Sequence, residues 1–242
     1  MTLTLVSGGG GAPRPGGPFR VSAMYRVQGA LGARFKDEAG WRVAEVYTSV
    51  DDEVVRARSG VGICDVSALG KLGIRGEAVD SLGPKLTGRP LPGVCHASRE
   101  RVNGAPVLAC RRARDELLVL TPPGEVSAVA GVIERAVESA CAHVTDLTAA
   151  FAVVDLLGAR LGELLERLVA LDLSTVQALG VVQGDLARVH AIMLRLDHPT
   201  LAAFRVLVPR ECGDFVWRTL ADAGQDLGLT PVGTTAHARL TT

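Results

Sequence analysis

The chain has 242 residues, 48% hydrophobic and 21% charged, with 26 Lys plus Arg set against 26 Asp plus Glu. That is enough apolar material for one large globular domain or two small ones, and it excludes a coiled-coil rod, a wholly disordered chain and a disulfide miniprotein. A formal net charge of zero leaves no bulk positive field to gather nucleic acid or an acidic membrane surface.

Residues 1–18, with the run Gly8-Gly-Gly-Gly11 and three prolines, cannot bury apolar surface and read as a flexible tail. They carry neither the basic nor the long apolar region of a secretory signal. The fold is therefore expected over 19–242. The glycine run is no phosphate loop, because no strand precedes it and no Gly-Lys-Ser/Thr follows. Apolar stretches are broken by charge well short of a bilayer span. The five cysteines, Cys64, Cys95, Cys110, Cys141 and Cys212, are odd in number and far apart, so they read as mostly buried, reduced thiols of a cytoplasmic protein.

Asp51–Arg58 reads as a short helix with carboxylates in its first turn, stopped by Gly60 and Gly62. Leu69–Arg75 alternates as a strand, with Lys71 on its solvated side; Gly76 follows, and then a helix over Glu77–Leu82 that ends near Pro84. Asn103-Gly104 predicts a hairpin between a strand near 94–102 and Pro106–Arg111, with a third strand over Asp115–Thr121. After Pro122-Pro123-Gly124, a helix places Val126, Val129, Ile133, Val137, Ala140 and Cys141 on one buried face. Strand Phe151–Leu157, Gly158 and a helix carrying Leu161, Leu164, Leu165 and Leu168 repeat the earlier unit. Phe204–Val208, Pro209 and a helix with Phe215, Val216, Leu220 and Ala223 repeat the later one. Gly76 and Gly158 are separated by nearly the same interval as Pro122 and Pro209. The expectation is an α+β fold of two duplicated halves, about 45–142 and 143–242, each an antiparallel sheet covered by helices.

The block Glu53 to Ala78, with Gly62-Ile-Cys-Asp65-Val-Ser67-Ala-Leu-Gly-Lys71 at its centre, resembles the tetrahydrofolate-binding aminomethyltransferase family. That family comprises the glycine-cleavage T protein and the folate domains of sarcosine oxidase and dimethylglycine dehydrogenase. Thr145–Thr148 with Leu157–Arg160, and Val208-Pro209 with Trp217–Gly224, agree in order and spacing. The resemblance covers about residues 45 to 240. It implies a pseudo-duplicated scaffold around a folate-shaped cavity, and a further β-barrel domain in full-length members that is expected to be lacking here. In length the chain is more similar to the small gamma subunit of heterotetrameric sarcosine oxidase.

The family's folate-holding acids are expected to be missing. Aligned on Asn103-Gly104, Val107 and Leu108 stand where its aspartates fall; Leu201 takes the place of a pterin-binding Glu, and His237 lies where a Gly-Ala-Arg-Asp block would be. A buried pterin N–H left unpaired costs about 1 to 3 kcal/mol, and two would weaken binding on the order of a hundredfold. Tetrahydrofolate is thus possible but weak, and no cofactor is required. Other candidates are Asp65 and Ser67 as ligand contacts or a turn, Arg99 and Arg101 as a carboxylate clamp or a charged sheet edge, and Arg195 and His237 as further ligand contacts. His198, oriented by neighbouring Asp197, is the candidate general base, or Asp197-His198-Pro199 is an Asx-Pro type loop. The histidines lack metal-ligand spacing. The expected function is a degenerate, non-catalytic partner of a sarcosine-oxidase-like amine oxidase or one-carbon enzyme. The rivals are a repurposed one-carbon transferase using His198 and Asp197, and a small-molecule binding module.

Overall fold

A computed structural model describes residues 18–138, 141–196, 198 and 201–242. The glycine-rich lead-in, Ala140 and Asp197 lie outside the described residues.

A small sheet opens the fold, with strands β1 (Arg20–Val21), β2 (Arg34–Glu38) and β3 (Trp41–Val46) in the order β1-β3-β2 and helix α1 (Tyr25–Ala30) between β1 and β2. Helix α2 (Val50–Ser59) follows, capped by the Ser49 hydroxyl, which accepts the Asp52 N–H at 3.2 Å.

From there two parallel series run through the chain. The first is β4 (Val61–Asp65), β5 (Gly70–Gly76), α3 (Val79–Thr87), the meander β6 (His96–Val102), β7 (Ala105–Ala113) and β8 (Glu116–Thr121), then α4 (Val126–Val137). The second is β9 (Ala142–Asp146), β10 (Phe151–Leu157), α5 (Leu161–Leu168), the meander β11 (Val181–Leu186), β12 (Val189–Leu196) and β13 (Ala203–Pro209), then α6 (Gly213–Ala223). The chain continues with β14 (Leu229–Pro231) and α7 (Thr234–Thr241). One sheet has the order β6-β7-β8-β5-β9 and the other β11-β12-β13-β10-β4-β14. The duplication expected from the sequence is therefore the architecture. Its detail is a reciprocal exchange: β4, which opens the first series, pairs with β10 of the second, and β9, which opens the second, pairs with β5 of the first. The five-stranded sheet is antiparallel throughout; the six-stranded one ends in a parallel β14–β4 pair.

Period-two alternation sorts the side chains into layers. Leu72, Ile74, Val107, Leu117 and Val119 face α3 and α4, whereas Val154, Leu156, Val206 and Val208 face α1, α5 and α6. The alternate positions, among them Leu108, Leu118, Val153, Leu157, Ile192 and Leu207, meet in a core between the two sheets, closed at one side by Val54 of α2 and by Ala236 and Leu240 of α7. At about 25 cal/mol per Å² of apolar surface, these three cores supply the stabilisation that the short helices lack by themselves.

The crossings between the sheets are near copies. After β4, the Asp65 carboxylate accepts the Ser67 N–H at 2.9 Å, and the Ser67 hydroxyl accepts the Val153 N–H at 2.9 Å. After β9, the Asp146 carboxylate accepts the Thr148 N–H at 2.8 Å, and the Thr148 hydroxyl accepts the Lys71 N–H at 3.1 Å. Lys71 sits between the crossings and is fully buried, its Nζ donating to the carbonyls of Ser67 and Thr148 at 2.9 and 2.8 Å. The solvated position expected for it is corrected: the strand face it occupies is covered by the crossings themselves. Burial pushes its pKa down to about 8, with nearby Asp65 and Asp146 opposing the shift in part.

Other expectations are corrected too. α3 runs through Pro84 to a left-handed Gly88, whose N–H reaches the Pro84 carbonyl. Phe215 is 55% exposed, and Cys141 lies outside the stripe of α4, which ends at Val137. Cys64 and Cys110 are buried inside strands, but Cys95 and Cys141 are exposed just before edge strands, and Cys212 is intermediate in the 3-10 turn that leads into α6. All five are free. No described helix is long and apolar enough to cross a membrane.

Candidate functional site

At one end of the inter-sheet core the two sheets separate and leave a cavity of about 430 Å³. Its walls are apolar: Leu69, Leu108 and Leu120 come from the five-stranded sheet and its crossing, and Leu196 from the other. Its polar groups are Asp155 on β10, Arg205 on β13, His237 on α7, His198 beyond β12, and Arg99 and Glu100 on β6.

Asp155 and Arg205 are cross-strand partners at inward positions of apolar strands. The Arg205 guanidinium grips the Asp155 carboxylate through Nε and Nη2, each at 2.7 Å, and His237 donates from Nε2 to the same carboxylate at 2.9 Å. The Asp155 side chain is 1% exposed, and those of Arg205 and His237 are each 15% exposed. Burial alone would raise the Asp155 pKa, but the charge and hydrogen bonds of Arg205, aided by His237, outweigh it and hold the carboxyl well below the usual carboxylate range. The same field acts on Cys64, whose thiol is pushed up by burial and by Asp155 beside it in register.

His237 owes its place to a second buried carboxylate. Glu53 of α2 accepts the N–H groups of Tyr47 and Thr48 at 2.6 and 3.0 Å and that of Gly233 at 2.8 Å. Gly233 is the N-cap of α7, so the helix that presents His237 is tied to α2 at its N-terminal end. Glu53 had been read only as a charge suited to a helix start; its burial shows it to be a latch.

The structure brings His198, His237 and Arg99 to this cavity and takes the other candidates elsewhere. Asp65 closes its turn and accepts hydrogen bonds from Ser22 and from Gln28, the latter at 2.7 Å, pinning the N-terminal segment to the sheet. Ser67 is consumed at the crossing. Arg101 donates to the Gly104 carbonyl at 2.8 Å in its own hairpin, and Arg195 binds the carbonyls of Ser174 and Val176 on the far side of β12. Asp197, expected to orient His198, lies outside the described residues; the ordered carboxylate–imidazole pair is Asp155 with His237. β6 is the outer strand of its sheet, as a charged edge requires, though His96 bridges to Gly180 and joins that edge to the other sheet.

Asp155 and Arg205 were missed in the sequence. Each is the lone charge within an unbroken apolar strand, Phe151–Leu157 and Phe204–Val208, and a buried charge must find a partner.

Leu108 faces the cavity and Val107 the opposite face, so neither supplies an acid where a folate-holding carboxylate is expected. Glu100 stands in register with Val107 and not with Leu108. Of the two carboxylates that line the cavity, Glu100 thus stands at an outward register position at its edge, and the oxygens of Asp155 are engaged by Arg205 and His237. The residues present do not fit a pterin. Among the described residues no cluster of three or more His, Cys, Asp or Glu is placed to hold a metal ion.

Two exchanged meander sheets, face to face under helices and enclosing a cavity at one end, define a duplicated α+β protein. Residues 24–242 match the family model described as the GCVT N-terminal domain, and the chain belongs to that family. It is 25% identical over 233 residues to an aminomethyltransferase from Moorella thermoacetica, covering 92% of this chain and 63% of that protein. It is 29% identical to sarcosine oxidase subunit alpha of Corynebacterium sp. strain U-96, covering 90% of this chain but 25% of that protein. Among solved structures, the glycine cleavage system aminomethyltransferase T of Bartonella henselae superposes with a TM-score of 0.82 at 16% identity, over 92% of this chain and 62% of that one. A chain of heterotetrameric sarcosine oxidase from Corynebacterium sp. U-96 superposes with a TM-score of 0.66 at 19% identity, over 88% of this chain and 99% of that one. The chain spans about three-fifths of the length of the aminomethyltransferases it matches.

Proposed function

We propose that this chain is a non-catalytic GCVT-family subunit that docks on a sarcosine-oxidase-like amine oxidase or another one-carbon enzyme in the cytoplasm, and that tetrahydrofolate binds it weakly at most. The observation that carries the reading is the state of Asp155. Transfer of an aminomethyl group needs a carboxylate available to pterin amines and to cationic intermediates. Here the inward carboxylate is neutralised by Arg205 and bound by His237, and Leu108 lines the wall where a second would help. The match to nearly the whole of a chain from a heterotetramer supports the partner role.

Three measurements test it. Calorimetry with tetrahydrofolate should give no binding tighter than roughly 100 μM, given about 1 to 3 kcal/mol lost per unpaired donor, and turnover to methylene-tetrahydrofolate should be absent. Tagged chain purified from its native host should bring down amine-oxidase or one-carbon-enzyme subunits. Micromolar folate binding with turnover, or a strict monomer, would overturn the proposal.

A second reading is favoured by one feature: His198 and His237 share the cavity with Asp155, which orients the latter imidazole. On that reading the chain is a repurposed one-carbon transferase with His198 and Asp197 as its acid–base pair, and His198→Ala removes its activity.

A further inference from the structure

We infer that the cavity is a site for a small organic monocarboxylate with an apolar body, received by His198 with uptake of a proton. This goes beyond the subunit role and holds or fails apart from it.

The argument begins with an unfilled hydrogen-bonding demand. Nε2 of His198 is buried and has no hydrogen-bond partner among the described residues, although the imidazole stands in the cavity wall. The groups that face it are Asp155 on β10, Arg205 on β13, His237 on α7 and Arg99 on β6. Of these only Asp155 favours a charged imidazole, and its oxygens are already bound to Arg205 and His237. Burial first, then the neighbouring cations, keep His198 below its ordinary pKa. Burial therefore opposes a lone charge on His198, nearby cations favour an anion beside it, and the wall's other carboxylate, Glu100, stands in register with Val107 rather than with the inward Leu108.

The walls decide which anion. Leu69, Leu108, Leu120 and Leu196 offer apolar contact, and about 430 Å³ admits a ring-sized body. A phosphate would need a cradle of backbone N–H groups or several free cations. The helix that reaches the cavity offers His237 and Thr241 from its later turns, not its N-terminal amides. One negative charge on an apolar body matches one proton gained by one imidazole.

Benzoate is the probe, benzamide its neutral counterpart and inorganic phosphate the control for a small anion. Proton-linked binding should tighten by about tenfold or more from about pH 8 to about pH 5.5, and calorimetry in buffers of different ionisation heat should show proton uptake. His198→Gln should abolish the pH dependence while leaving the folded spectrum unchanged. If that variant does not fold, proton uptake by the unaltered chain still decides. Benzamide binding as well as benzoate, phosphate binding in preference to it, affinity independent of pH, or no benzoate binding at millimolar concentration would each overturn the proposal.

Discussion

Lys71 shows how a single side chain departs from the reading its sequence position invites. A lysine on an alternating strand is ordinarily solvated, and nothing local marks this one as buried; its cover comes from the crossings that follow β4 and β9, residues far apart in the chain. With a pKa of about 8 in the fold against roughly 10.4 in an unfolded chain, the unfolded state holds the proton between those values while the native state has released it. Stability from this group is therefore lowest below about pH 8 and rises with pH across that window, by about 3 kcal/mol in full. Urea unfolding at pH steps between these limits should show the rise in the unaltered chain and not in Lys71→Met; a difference between the two that stays constant with pH would remove the argument. Asp155 and Arg205 are the contrasting case. Their partnership was missed although it left a signal, two lone charges inside apolar strands that cannot both stay unpaired, and the addition of His237 to the pair depends on where α7 lands.

Among the elements, those with a strong local signal were legible and those whose backbone defies residue preference were not. Asn103-Gly104 turns with φ of 52° and 81°, a conformation these residues favour, and the hairpin was visible. Ala187-Arg188 makes the β11–β12 turn with φ of 52° and 65°, without Asn or Gly, so no residue preference marks that hairpin in the sequence. Gly76 and Gly158 are the repeat's clearest mark, and the structure supplies the reason. Each stands at the end of an interior strand of its sheet at positive φ, 143° and 139°, and a Cβ would come within 2.1 Å of the Cys141 carbonyl oxygen or 2.3 Å of that of Gly60. Gly76→Ala and Gly158→Ala should each cost more than about 2 kcal/mol, by strain and clash together, and lower the thermal midpoint by similar amounts. If either variant melts with the unaltered chain, the turn is not what pins the strand to the helix.

At the scale of the molecule, the duplication was read from spacing but the exchange of β4 and β9 was not, because strand partners depend on which sheet a crossing enters. The exchange makes the two series mutually dependent: β4 has as neighbours β10 of the second series and β14, which follows that series, and β9 completes the sheet of the first. Severing the chain between Glu138 and Cys141 should give two fragments that are each unfolded by circular dichroism when expressed alone and that recover the native spectrum on mixing. A folded isolated fragment would mean that the exchanged strands contribute less than the meanders.

The same exchange sets an order on biosynthesis. When β4 emerges from the ribosome its sheet does not exist; β10 is more than eighty residues away, and β14 later still. The nascent chain must carry Val61–Asp65, an apolar strand with both edges open, through most of translation, which exposes it to mispairing until the last segment arrives. Ser67 and Lys71 then act as a late fastening, since the bonds that hold the two crossings together form only after Thr148 and Val153 have been synthesised.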